Sequence, residues 1–331
     1  MESVTKEDQN MIYFELQEYC EKEFGFNILQ ATRINRGWLN LKWKMETNQG
    51  TFLLKEYNQV RFKLSDLTQL QTTLEIHQKL HTEGISCPRL LTHAGQILHI
   101  TNNNRRFVMM DFREGDVVKP GKVNEEQIHD LGRQTGKMHR LLNMELSIHN
   151  PKPQFNPPSK ESRLSHWYNL FRDAEMEDKQ WLLPFVELQI KATEAFDYAM
   201  LTACEGGLAH RDLWVDNILF HDNRLSAILD FDRLNYDYPE LDIARAIISC
   251  SLFNDHFQLG NAMAFLNGYR TERDFPAGNL ERALRMLWYM ESTWWINNNM
   301  DQHSVPPARF AEEMLWLSKS HLELKEMFGS M

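Results

Sequence analysis

The chain has 331 residues, 42% of them hydrophobic and 25% charged; these globular proportions supply cores for about two domains and exclude a fibre, a mini-protein and wholesale disorder. Its 36 basic and 46 acidic residues give a formal charge of −10, which opposes the phosphate attraction behind nucleic-acid binding, so no nucleic-acid partner is expected. No run approaches the ~18 consecutive apolar residues of a membrane-spanning helix, and the polar start MESVTKEDQN lacks a signal peptide's basic-then-apolar plan. The expectation is a soluble, cytoplasmic chain with no membrane partner. Cys20, Cys87, Cys204 and Cys250 lie far apart without a C-x-x-C pair, and the 13 histidines form no H-E-x-x-H, which argues against a disulfide framework and against zinc sites of these kinds.

In chain order, Ile12, Tyr13, Leu16, Tyr19 and Cys20 recur at helical spacing and predict an opening helix over 8–24, ending near Gly25. From Ile28 to Tyr57 the pattern turns strand-like: Leu39, Leu41, Trp43 and Met45 alternate with polar residues, and Thr51 to Lys55 follow a turn at Asn48-Gln-Gly50, which predicts a hairpin. Leu67, Leu70, Leu74, Ile76 and Leu80 predict a helix over 65–83, closed by Gly84. Short strands are expected at 96–100 and 106–112. Beyond Gly115 the character becomes helical, with helices at 124–143, 161–173 and 180–204, a Pro-rich connection between the first two, and a helix-rich remainder over 239–328. The domain boundary is therefore placed near 112–115.

The chemistry-bearing stretch runs from Leu208 through His210-Arg211-Asp212 and Asn217 to Phe220, turns at His221-Asp-Asn-Arg224, and continues through Leu225 to Asp230-Phe231-Asp232. An apolar run, a polar loop and two short strands around a turn would gather Asp212, Asn217 and Asp230 into one small volume. Phosphoryl transfer needs such a set: a carboxylate that orients a hydroxyl and accepts its proton, and hard oxygen ligands for magnesium on nucleotide phosphates. Asp212 suits the first role, Asn217 and Asp230 the second. Each of these residues alone would read as a turn cap; the three at this spacing favour catalysis.

With the spacing H-R-D-x-x-x-x-N and a downstream D-F-x, the sequence resembles the kinase-like phosphotransferases, and most of all their small-molecule branch of aminoglycoside phosphotransferases, choline kinases and type II homoserine kinases. Gly37-Trp-Leu-Asn40, Lys55, Gly84-Ile-Ser-Cys-Pro88, Gly132-x-x-x-Gly136-Lys-Met-His139 and Leu241-Asp-Ile-Ala-Arg245 extend the likeness along nearly the whole chain, which looks most like the homoserine kinase subgroup. The resemblance implies an α+β, bilobal protein-kinase-like fold, with a small antiparallel-sheet nucleotide-binding lobe over 1–112, a larger helical lobe over 113–331, and an ATP cleft between them. It implies that Lys55 meets the α- and β-phosphates, that Glu75 holds its ammonium, that Gly37 and Asn40 belong to the nucleotide site, and that the backbone of Met110 and Phe112 faces adenine. His210 and Asp242 would support the catalytic loop. Two departures stand out: Gly37 is alone where protein kinases carry G-x-G-x-x-G, and Arg211 replaces the small residue usual in this branch.

Other features are weighed beside these. Gly115 to Lys122 resembles a P-loop superficially, but its spacing and Val123 mark a surface loop. Trp288, Tyr289, Trp294 and Trp295 could line a cage for an ammonium group, although helical core packing is the simpler reading. Asp232, Asp237, Glu291 and Trp295 are candidates for holding a substrate amine. The expected function is ATP- and Mg2+-dependent transfer of the γ-phosphoryl group to a hydroxyl of a small amine-bearing molecule, homoserine-, choline- or aminoglycoside-like, by a monomer or homodimer. A nucleotide-binding regulator or pseudokinase, and a protein kinase, are the alternatives.

Overall fold

The computed structural model describes residues 6–35, 40–59, 67–144 and 152–331. The chain folds as two units, Met1–Gly115 with Ser226–Asp232, and Asp116–Leu225 with Arg233–Met331. Among the described residues no helix is long and apolar enough to cross a membrane.

The first unit contains α1 (Lys6–Phe24), β1 (Ile28–Arg33), β2 (Leu41–Thr47), β3 (Gly50–Tyr57), α2 (Leu67–Thr82), β4 (His99–Ile100) and β5 (Arg106–Asp111). The strands form one antiparallel sheet in the order β1-β2-β3-β5-β4. Thr47 closes the β2–β3 turn, accepting from Gln49 N–H at 3.0 Å and donating to Gly50 O at 2.9 Å, and Gly50 takes φ 130°, a value that favours glycine. Because side chains alternate across a strand, Trp43, Met45, Phe52, Leu54, Phe107 and Met109 share one face and bury Ile12, Leu16 and Cys20 of α1. Tyr57, Val108 and Met110 turn the other way, onto Leu70 and Leu74 of α2 and onto Leu90. Lys55, one step from Leu54, belongs to this second face.

The first unit ends at Gly115 and takes back Ser226–Asp232, a return that the expected boundary did not include. Ala227, Ile228 and Phe231 are buried there, Ile228 N–H donates to Ser86 O at 2.8 Å, and the Phe231 ring stacks on His77 with centroids 4.4 Å apart. These contacts carry Asp230 and Asp232 into the unit that holds Lys55.

The second unit holds α3 (Glu125–Asn143), α4 (Lys160–Met176), α5 (Leu183–Ala195), α6 (Ala199–Thr202), β6 (Gly207–Ala209), β7 (Ile218–His221) and the start of β8 (Arg224–Ile228). It continues with β9 (Asn235–Asp237), α7 (Pro239–Ser251), β10 (Leu252–Phe253), β11 (His256–Phe257), α8 (Leu259–Arg270), α9 (Asn279–Trp295), α10 (Pro307–Lys319) and α11 (Leu324–Phe328). β6 pairs with β9, and β10 with β11, both antiparallel. α3 opens with a capping box between Asn124 and Gln127 and lies tightly on α8. A Cβ on Gly132 would stand 2.0 Å from Phe265 O, and one on Gly268 2.0 Å from His129 O, so glycine at both positions is what lets the two backbones meet.

The single helix expected over 180–204 is instead two. The chain becomes extended at Phe196, whose buried ring stacks on Tyr289 at 4.4 Å, while Lys160 caps the carbonyls of Glu194 and Phe196. Trp288 and Tyr289 are core residues and not a cage: both are buried, and Trp288 Nε1 donates to Gln189 Oε1 at 2.8 Å. In the P-loop-like stretch, Asp116 exchanges backbone hydrogen bonds with Phe220, and Gly121 packs against Leu252 and Phe253.

Candidate active site

In the first unit the site is built around Lys55, which is 4% exposed. Its Nζ lies 2.9 Å from Asp230 Oδ1 and 2.7 Å from Asp232 Oδ2. Tyr57 OH donates to Asp232 Oδ1 at 3.2 Å, and Asn40 Nδ2 to Asp232 Oδ2 at 3.2 Å. Burial works against the ammonium, but the two carboxylates outweigh it and hold the Lys55 pKa above the ordinary lysine range. Asp230 takes φ 60°, a left-handed conformation that aspartate tolerates better than most residues.

In the second unit the loop from His210 to Asn217 leaves β6 and passes through a 3-10 turn at Val215–Asn217. Asn217 Nδ2 donates to Asp212 O at 2.9 Å and to Asp212 Oδ2 at 3.1 Å, which fixes the carboxylate relative to its own loop. The loop backbone rests on Asp242, in the first turn of α7: Oδ2 accepts the His210 N–H at 2.6 Å and Oδ1 the Arg211 N–H at 2.7 Å. His139, on α3, lies 3.1 Å from the same Oδ2 through Nε2 and 3.0 Å from Tyr269 OH through Nδ1. A carboxylate only accepts, so Nε2 carries the hydrogen and Nδ1 receives the Tyr269 hydroxyl. Burial opposes a charged Asp242, yet its bonds from His139 and the loop N–H groups hold the carboxyl below the usual aspartate range. Burial likewise lowers the His139 pKa and keeps the imidazole neutral.

Several expected residues stand elsewhere. Glu75 does not hold Lys55: it is exposed on α2 and accepts from Gln71 Nε2 at 3.2 Å. One residue is about 100° of helix turn, so burying Leu74 turns Glu75 away. Met110 pairs with Leu53 inside the sheet, and the Phe112 N–H donates to Thr51 O at 3.1 Å. Asp232 is committed to Lys55, Tyr57 and Asn40 and is not open to a substrate amine. Glu291 pairs with Arg245 of α7, and Trp295 donates to Glu291 Oε2 at 3.3 Å with its ring 4.7 Å from Phe310. Arg245 is buried and needs the carboxylates of Glu291 and Glu313, so the Glu291 carboxylate is already engaged by a cation of its own chain. Asp237 is paired with Arg211. Gly37 lies outside the described residues.

Lys42 is the residue that the sequence reading overlooked. It sits directly opposite Lys55 in the β2–β3 ladder, with Nζ 3.8 Å from Asp230 Oδ2. The two-residue turn at Asn48 and Gln49 fixes this register, so the hairpin pattern already contained the signal.

Three comparisons place the chain among known proteins. The model of a phosphotransferase enzyme family matches residues 30–276. The chain is 28% identical over 261 residues to the homoserine kinase of Rhodopseudomonas palustris (strain BisA53), covering 78% of this chain and 75% of that one. It is 27% identical over 281 residues to the homoserine kinase of Sinorhizobium medicae (strain WSM419), covering 83% and 80%. Among solved structures, an amicoumacin kinase in complex with AMP-PNP, Ca2+ and Ami is similar with a TM-score of 0.58 at 16% identity, covering 99% of this chain and 98% of that chain. An aminoglycoside phosphotransferase from Alicyclobacillus acidocaldarius gives 0.63 at 13% identity, covering 91% and 90%. These structures share its protein-kinase-like α+β fold, and the family match spans most of the length. The chain therefore belongs to the phosphotransferase enzyme family, and it is a small-molecule kinase that moves a phosphoryl group from ATP to a hydroxyl of its acceptor.

Proposed function

We propose that the acceptor is a small amine-bearing alcohol of the homoserine type and that magnesium accompanies the nucleotide. The observation that carries this reading is the Asp212 carboxylate, held by Asn217 in a loop whose backbone hangs on Asp242. A carboxylate fixed in this way orients an acceptor hydroxyl and takes its proton as the phosphoryl group is transferred. Lys55, kept charged by its carboxylate neighbours, suits the nucleotide's α- and β-phosphates. The choice of acceptor is supported by the homoserine kinases, which are similar over about three quarters of their own length, whereas the likeness to antibiotic kinases supports the fold alone.

The donor chemistry also fits magnesium. Asn217 commits its Nδ2 to Asp212, so that its Oδ1 is the atom that could serve as a hard oxygen ligand, and Asp230 carries a carboxylate whose side chain is 26% exposed. Hard oxygens suit the ion, and magnesium is commonly held by one or two such groups together with phosphates. When bound, it neutralises charge on the phosphates.

Magnesium-dependent ADP release is the test, with homoserine, choline, ethanolamine and aminoglycosides as acceptors and Asp212→Ala as control. Homoserine-type alcohols should stimulate, and Asp212→Ala should lower kcat by about 100- to 10,000-fold while remaining folded. Stimulation by aminoglycosides alone would overturn the acceptor class, and a fully active, folded Asp212→Ala would overturn the role of that carboxylate.

A further inference from the structure

Arg211, immediately before Asp212, has φ 66°, in the left-handed region where glycine is at ease and a side chain is strained. Its backbone does not depend on its side chain, because the N–H is already held by Asp242 Oδ1 at 2.7 Å. Yet the guanidinium is engaged throughout. Nε lies 2.9 Å from the buried Asp237 carboxylate, Nη1 donates to Gln154 Oε1 and, at 3.3 Å, to Arg233 O, and the guanidinium carbon lies 4.4 Å from the Phe155 ring centroid. Burial raises the Asp237 carboxyl to about 6 against the pull of the Arg211 guanidinium and of the Phe155 backbone N–H, both of which favour its charge.

Gln154 and Phe155 belong to residues 152–158, a strap without helix or strand. Gln154 N–H donates to Tyr236 O at 3.1 Å, and Gln154 Oε1 also accepts from Asn235 Nδ2 at 2.8 Å. Farther along, the Pro157 and Pro158 carbonyls accept from Tyr198 and Tyr289 hydroxyls at 3.1 and 2.9 Å. The Phe155 ring rests against Trp294 of α9 at 5.4 Å, and Trp294 is 44% exposed. The strap thus runs from β9 to α9, with Arg211 joining it to the loop that carries Asp212.

We propose that Arg211 is a positioning residue: its side chain fastens the 152–158 strap to the catalytic loop, and the Phe155–Trp294 edge of that strap is the wall against which the acceptor is set toward Asp212. The inference rests on the reading of Asp212 given above. A glycine would satisfy the loop backbone without strain, so the strained arginine is explained by what its side chain holds. Arg211→Gly separates the two roles, since it keeps the backbone conformation and the Asp242 bond while giving up the side-chain contacts to Gln154, Phe155, Asp237 and Arg233 O.

In Arg211→Gly, hydrogen exchange over 152–158 should accelerate, and the acceptor KM should rise by about tenfold, with the KM for ATP changing far less. Phe155→Ala should raise the acceptor KM in the same way and add little to Arg211→Gly, because both break one connection. Arg211→Lys should rescue only in part, since it restores the charge without the planar fork. Unchanged exchange over 152–158 would overturn the fastening, and faster exchange with an unchanged acceptor KM would overturn the wall. Exchange needs no acceptor, so it reports on the fastening even if the assignment of Asp212 fails its own test.

Discussion

Lys55 shows what one buried charge demands. A lysine this enclosed would lose its proton readily without compensation, and it keeps it because two carboxylates stand within 3 Å, as Asp230 at 2.9 Å and Asp232 at 2.7 Å do. Lys55→Met takes away the ammonium that both carboxylates face, which costs about 3–5 kcal/mol of stability for a buried pair and would remove the cation proposed for the phosphates. Glu75→Gln touches only an exposed helix face and should leave ATP KM and kcat within about twofold of the parent, a surface change of small energy. Steady-state kinetics on both variants checks this; a Glu75→Gln protein as impaired as Lys55→Met would restore Glu75 as the working partner. The spacing of Asp212, Asn217 and Asp230 was legible in the chain because those residues share one short stretch. The partner of Lys55 was not, since Asp230 is 175 residues away and its approach depends on packing of Phe231 over His77.

At the scale of elements, the hairpin and the α3–α8 pair show opposite degrees of legibility. Period-two alternation and the turn at Asn48 and Gln49 predict both strands and, through the register, that Lys42 opposes Lys55. The glycines of α3 can be read as a motif, but their purpose appears only when α8 is seen against them. Gly132→Ala would put a Cβ 2.0 Å from Phe265 O, and backbone cannot move aside as a flexible side chain can. The helices must separate, which should destabilise the protein by about 1–3 kcal/mol and loosen His139, one face along α3, from Asp242. Thermal unfolding of Gly132→Ala should therefore begin at a lower temperature than in the parent; an unchanged Tm would mean that the two helices can spread freely. The break after α5 was illegible for a related reason: the local sequence continues apolar, and it is the stacking of Phe196 on Tyr289 that turns the chain.

For the whole molecule, stability responds to pH through groups that burial has shifted in opposite directions. His321 is pushed down to about 4, first by burial and then by Arg285, whose Nη1 lies 2.8 Å from Nε2. Below the unfolded histidine value near 6.5 the unfolded chain binds this proton and the folded chain does not, so the contribution present at neutral pH is lost as pH falls from about 6.5 to 4. Glu56, raised to about 7, and Asp237, raised to about 6, act the other way, because folding favours their protonated forms. The clean observable is consequently a difference: the Tm gap between parent and His321→Gln should narrow from pH 7 to pH 5, and a constant gap would show that His321 is protonated alike in both states. What the sequence by itself determined were the features that depend on local order, namely the periodicities of strand and helix, the α+β class, and a phosphotransferase motif compressed into a few residues. Tertiary structure alone decided which charges meet: Lys55 with Asp230 and Asp232, Arg211 with Asp237 and the strap, Arg245 with Glu291 and Glu313. The physical reason is that a repeat of polar and apolar residues specifies the burial of a face wherever that face finds cover, whereas an ion pair forms only where packing of distant segments brings two particular side chains within a few ångströms.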